Sequence, residues 1–265
     1  MRGCGNPGRS DMDFSKVLKE KENAVLMGQW GTIGPCSLEA GAKLAKLTGG
    51  SYGLLCHSYE AAYESVLRHF GIRQGTCVLV AAVSVPSDAI LPKLLGSAPV
   101  FLSKIAPEKI TDAIRSFKPA ALILDAAGHE TSLPALYQCC RREGVPFIVN
   151  AEGVFRRETN LSKYADAVLY SLEKGSEIDA GKGGLVVTDS EPVYAGAYAY
   201  HNCGRSFGEG CSLDIDGYIG GDLRVTEWTS AVALAILETG SYARHETSRA
   251  VLLTDEPVFA GAALA

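Results

Sequence analysis

The sequence holds no apolar run approaching the roughly 20 residues a membrane-spanning helix needs, so no membrane partner is expected. No basic cluster and no interleaving of basic with aromatic residues occurs. With a formal net charge of −5, the chain offers nucleic acid no cationic surface. The opening MRGCGNPGRSDMD lacks the apolar core of a secretion signal, which points to the cytoplasm. Cysteines at 4, 36, 56, 77, 139, 140, 203 and 211 form no CxxC pair and have no His-x3-His companion, which argues against a metal site. Four of them, Cys56, Cys77, Cys139 and Cys140, fall among apolar residues, where free cysteine behaves as a small buried hydrophobe. Internal repeats and low-complexity tracts are also absent.

What is present is material for one large α/β domain or two small ones: 265 residues, 47% hydrophobic and 21% charged. Residues 1–13, rich in Gly, Pro and charge without periodicity, read as a flexible tail. Val17, Leu18, Val25 and Leu26 space a helix over 14–27; a second follows, with Ser37 as its expected cap and Gly49-Gly50 as its stop. Apolar runs at 52–56, 75–83, 120–124 and 145–151 read as strands, the longer ones buried on both faces as in a parallel sheet. Helical spacing fills the intervals, notably at 107–117 and after Ser132-Leu133-Pro134.

The chain is organised around 170–189, YSLEKGSEIDAGKGGLVVTD, which reads as a strand end, a polar turn, a glycine step and a second strand. Such joints deliver side chains to the mouth of an α/β sheet, where ligands bind. Its spacing of Ser171, a position five residues on, then Gly181 and Gly183-Gly184 resembles the cofactor-lysine segment of the DegT/StrS-type (DegT/DnrJ/StrS) sugar aminotransferases. The resemblance extends over roughly residues 14–238: a Ser-led turn and alanine-bearing helix at 58–72, a strand, turn and helix followed by SAPVF at 97–101, and GGDLRVTE at 220–227. It implies the αβα three-layer sandwich, with a mostly parallel sheet, of the large domain of fold-type I pyridoxal-phosphate (PLP) transferases. It places that domain at 14–240, leaves 241–265 as a short C-terminal remnant, and implies that the family's small C-terminal domain is missing.

The same resemblance assigns pocket positions, and most carry altered residues. The Schiff-base lysine position is Ser176, and an alcohol cannot form an imine. Tyr59 and Glu60 replace the Gly-Thr pair that follows Ser58 and cradles the cofactor phosphate. Two unit charges about 4 Å apart repel by roughly 4 kcal/mol at an effective dielectric of about 20, so Glu60 opposes phosphate binding. Val85 stands for the ring-stacking aromatic, Asp125 for a common histidine, and Asn150 for the aspartate that pairs with the ring nitrogen. Asp222 replaces the asparagine that reaches the partner subunit's phosphate, whereas Ser171 keeps the phosphate-binding serine. Arg224 and Glu227 are retained and read as a helix-start ion pair.

Three functional expectations follow. The first is a non-catalytic homologue, a pseudo-aminotransferase that needs no cofactor and serves as a binding or partner subunit, in a homodimer or a heterodimer with a related aminotransferase. The second is a PLP-dependent aminotransferase acting on a nucleotide-linked keto-sugar through Lys174, which in an extended segment faces the same side as Ser176. The third is an enzyme of another class using the acids Glu60, Asp125, Glu152 and Asp222.

Overall fold

The computed structural model describes residues 13–127, 129, 132–152, 160–205, 219–243 and 250–265. The expected tail apart from Asp13, with Cys4, as well as Cys211 and part of 241–265, lie outside the described residues.

Helix α1 (Phe14–Gly28) begins at Asp13, whose carboxylate accepts the Ser15 amide, and ends at Gln29 in the left-handed region. Helix α2 (Pro35–Thr48) does not start on a Ser37 cap. Its N-cap is Gly34, and Ser37 lies inside the first turn, its hydroxyl donating back to the Gly34 carbonyl. The capping acceptor is the Glu227 carboxylate, nearly two hundred residues along the chain. It receives the amides of Gly34, Cys36 and Ser37 at 3.0, 2.8 and 3.0 Å. An anion at a helix N-terminus satisfies the unpaired amides and the dipole together. Because Glu227 is used this way, the expected Arg224–Glu227 ion pair is replaced: Arg224 holds Asp222 through two hydrogen bonds of 2.7 and 2.9 Å.

The remaining elements alternate. Strand β1 (Tyr52–Cys56) leads to α3 (Tyr59–His69), β2 (Cys77–Ala81), the short β3 (Val83–Ser84), α4 (Ser87–Leu94) and β4 (Ala98–Leu102). Then come α5 (Pro107–Phe117), β5 (Ala121–Asp125), α6 (Leu133–Glu143), β6 (Phe147–Asn150), a 3-10 turn (Leu161–Tyr164) and β7 (Ala167–Ser171). That turn occupies the start of residues 163–172, which read in sequence as one strand. The described chain finishes with β8 (Gly184–Thr188), α7 (Glu191–His201), α8 (Glu227–Thr239), β9 (Val251–Leu252) and β10 (Ala263–Leu264).

Eight strands form one sheet in the order β1-β8-β7-β6-β5-β2-β4-β10. Only β8 runs antiparallel, to both of its neighbours. Alternate strand residues enter two cores, as a pleat with both faces covered requires. Leu79, Leu122, Leu124, Phe147 and Val149 pack with α2, α5, α6 and α8. Val78, Val80, Ile123, Ile148 and Leu169 pack with α3, α4 and α7. The architecture is therefore the expected αβα sandwich around a mostly parallel sheet. The C-terminal residues lie against it, β9 pairing with β3 and β10 extending the sheet beyond β4.

Connections reverse direction between β2 and β5. From β2 the chain steps outward to β4 through α4; from β4 it returns past β2 to β5 and then continues the other way to β6. Such a switch point leaves a crevice at the carboxyl ends of the two strands, where open α/β sheets bind ligands.

Candidate functional site

Around that crevice the strand ends deliver Asp125 from β5 and Asn150 from β6, which are paired neighbours in register. Asn150 is fully buried and both ends of its amide are engaged: Nδ2 donates to Asp88 Oδ1 at 2.7 Å and Oδ1 accepts the Glu152 amide at 2.8 Å. Asp88, in the first turn of α4, is also fully buried and accepts further bonds from the Tyr63 hydroxyl (3.0 Å) and the Ser84 hydroxyl (2.5 Å). Burial pushes its carboxyl up to about 6, aided by Asp125 and resisted by the bonds from Ser84, Asn150 and Tyr63. Asp125, buried, accepts the Ala127 amide at 3.0 Å; burial raises its pKa, and that bond and His129 oppose the rise. Glu152, half-buried, is pushed up to about 7 by burial and then by the charges of Asp88, Glu60, Glu173 and Asp125.

The second component is the N-terminus of α3. Ser58 caps it, its hydroxyl accepting the Ala61 amide at 3.0 Å. The Tyr59 amide points at an internal anion: Glu173 Oε1 accepts it at 3.1 Å. Glu173 follows β7, and its own amide donates to the Ser171 hydroxyl at 3.2 Å. Lys182 offsets one of the two charges at this corner, 2.7 Å from Glu173 and 3.8 Å from Glu60. Gly184 permits the close approach, since a Cβ there would stand 2.4 Å from the Ser58 carbonyl oxygen.

The joint between β7 and β8 differs from its sequence reading. Residues 173–176 form a turn, with the Ser176 amide bonded to the Glu173 carbonyl at 3.0 Å and Gly175 at φ 97°. Ser176 is buried, and its hydroxyl shares its proton between the carbonyls of Glu173 (2.8 Å) and Ile178 (2.9 Å). Lys174 sits exposed on the turn. The extended geometry that would align it with Ser176 is absent, because the turn rotates the intervening residues.

Of the sequence-predicted positions, Tyr59, Glu60, Asp125, Asn150 and Glu152 come together, with Ser58 and Ser171 supporting them; Val85 is buried. Asp222 is separate in its bonding. It pairs with Arg224, which holds its carboxyl below the usual range, and bridges backbone to Asn202. The sequence reading missed Asp88 and Glu173, the two carboxylates that organise the site. A signal for the first existed: Asp88 lies three and four residues before Leu91 and Pro92 on the buried face of α4. Among the described residues no group of three His, Cys, Asp or Glu side chains could hold a metal ion, and no helix is long and apolar enough to cross a membrane.

A mostly parallel eight-stranded sheet between helical layers matches the fold of the large domain of the fold-type I aminotransferases. The sequence pattern of the DegT/DnrJ/EryC1/StrS aminotransferase family matches residues 14–252, and the chain belongs to that family. Solved structures share the fold at low identity. An aminotransferase from Psychrobacter cryohalolentis superposes with a TM-score of 0.72 at 16% identity, covering 87% of this chain and 64% of its own. DesI in the presence of its TDP-sugar product gives 0.70 at 20%, covering 87% and 59%. NtdA from Bacillus subtilis with bound PMP gives 0.73 at 20%, covering 88% and 54%. The chain thus spans less than two thirds of the length of each of these structures.

Proposed function

We propose that the chain is a non-catalytic homologue of the sugar aminotransferases, a cytoplasmic binding or partner subunit. In this reading residues 14–240 are its large domain. It assembles as a homodimer or, beside a complete relative, as a heterodimer.

The observation that carries the reading is the Glu173 carboxylate on the Tyr59 amide at 3.1 Å. The α3 N-terminus already holds an anion from its own chain, and Glu60 adds a second acid in the same turn. On this reading the residues do not fit pyridoxal phosphate. Ser176 has no amine, and its hydroxyl is bonded to two backbone carbonyls. Asn150 is a neutral amide already bonded to Asp88 and to the Glu152 amide, and it has no charge to stabilise a protonated ring nitrogen. Lys174, the expected substitute, lies on an exposed turn. The acid-based alternative loses Asp222 to Arg224.

Two measurements test the proposal. Calorimetric titration with pyridoxal phosphate is expected to give no saturable heat, and micromolar binding would overturn the loss of cofactor. Co-expression with a complete family member is expected to yield a complex containing both chains. Recovery of homodimers alone from that co-expression would remove the heterodimer role.

A further inference from the structure

We propose that the corner where the end of α1 meets the starts of α2 and α8 is the face on which a second copy of this chain docks, the same face on each copy about a two-fold axis. It deepens the assembly reading above and rests on it.

One junction ties the corner together. Thr32 bridges antiparallel to Thr226, and the Glu227 amide donates to the Gly31 carbonyl at 3.1 Å. The Glu227 carboxylate takes the amides of Gly34, Cys36 and Ser37. Large apolar residues flank every one of these bonds. Trp30 precedes Gly31, Trp228 follows Glu227, Leu38 follows Ser37, and Leu26 and Met27 stand in the last turn of α1. Trp30 lies over the loop itself: a Cβ on Gly28 would stand 3.3 Å from its Cδ1, and one on Gly34 2.7 Å from its Cβ. The polar groups of the junction are turned inward, yet these side chains stay in solvent. Leu26 is 61% exposed, Met27 85%, Trp30 54%, Leu38 46% and Trp228 45%. Packing within the sandwich does not call for them, since α1 already buries Val17 and Val25 on its other face.

Together the five side chains leave on the order of 600 Å² uncovered. A stable protein interface covers about 800 Å² per partner, and the largest apolar patch of an ordinary monomer is about 300–600 Å². Charge selects the occupant. Residues 23–38 contain no Asp, Glu, Lys, Arg or His, and between Val225 and Leu237 the only charged side chain, Glu227, is buried. Two copies of net charge −5 repel each other over most of their surface, so they meet least resistance through a face that carries none. The rim restores charge, with Lys43 and Glu39 paired at 2.6 Å on α2. A centre rich in Trp, Met and Leu and empty of charge, inside a charged rim, is the anatomy of an interface core. An acidic or basic partner would find no counter-charge here, and the face lacks the lysines and arginines that hold an apolar surface on lipid.

Both tryptophans of the chain lie on this face, so its intrinsic fluorescence reports on the face alone. The test dilutes the full chain and follows sedimentation velocity and tryptophan emission on the same samples. The expected result is a dimer that dissociates on dilution, with emission moving to the red and acrylamide quenching rising in step. The double variant Leu26→Lys, Met27→Lys puts cations in the last turn of α1, where the helix dipole favours them. It should unfold at the wild-type urea concentration and dimerise at least about tenfold more weakly. Leu94→Lys, at an exposed apolar position on α4 in the opposite helical layer, should dimerise like the wild type. Dissociation without a change in emission, a double variant that dimerises as tightly as the wild type, or a loss confined to Leu94→Lys would overturn this face and leave the assembly reading standing. A wild type that stays monomeric at every concentration would overturn the face and remove the homodimer reading with it.

Discussion

Replacing Asp88 tests the construction of the site most sharply, because one carboxylate ties together α3, α4 and the end of β6. Asp88→Ala strands three buried donors, the Tyr63 and Ser84 hydroxyls and the Asn150 amide. At about 1–3 kcal/mol for each unsatisfied group, with the hydroxyls free to turn toward other acceptors, the net loss should be about 3–5 kcal/mol. Asp88→Asn keeps the shape and an acceptor oxygen and should cost about 1 kcal/mol at acidic pH. The two variants separate further with pH. The folded Asp88 titrates at about 6 against an ordinary 3.8, so between these values the folded state binds more protons than the unfolded state. Stability contributed by this group therefore falls as pH rises through that window, by up to about 3 kcal/mol. His201, buried and lowered to about 4, works in the opposite direction, gaining stability as pH rises toward its ordinary 6.5. The difference between the wild type and Asp88→Asn removes the His201 contribution. Urea unfolding at pH 4 to 7 should show the asparagine variant gaining on the wild type as pH rises. A flat difference, or one of opposite sign, would refute the assignment of a buried, raised carboxyl.

Two further predictions concern helix starts. Glu227→Ala should cost about 3 kcal/mol or more in urea unfolding, since it leaves three amides of α2 without an acceptor, with Glu227→Gln intermediate; a loss below about 1 kcal/mol would mean that water or another side chain caps the helix. Glu173→Ala frees the Tyr59 amide and its Lys182 partner, so the Tyr59 15N signal should become responsive to inorganic phosphate where the wild type is not. An equal response in both would show that Glu173 does not occupy the helix end.

The sheet was legible because its strands are buried on both faces and so appear as apolar runs: Val78–Ala81 within 75–83, Ala121–Leu124, and Phe147–Val149 all fall where the sequence places them. Helix α5 matches its sequence bounds, with Pro107 at its start. The site was legible only at the positions where family spacing marks a residue, such as Asn150 and Tyr59-Glu60. What escaped was long-range pairing. Ser37 looks like a local cap, but Glu227 does that work from the far end of the chain; Glu227 in turn looks like a partner for Arg224, which Asp222 takes. Asp88 and Glu173 have unremarkable neighbours in sequence and acquire their roles only when β6 and α3 are brought beside them. At Lys174 the backbone departs from the extended chain that its alternation assumed, because residues 173–176 form a turn.

The central claim is that this family member keeps the frame and has given up the imine chemistry. The direct measurement is incubation with excess pyridoxal phosphate, borohydride reduction and intact-mass analysis with peptide mapping. The account predicts an unshifted mass apart from scattered low-level labelling of surface lysines. A stoichiometric phosphopyridoxyl adduct confined to Lys174 would contradict it and restore an aminotransferase.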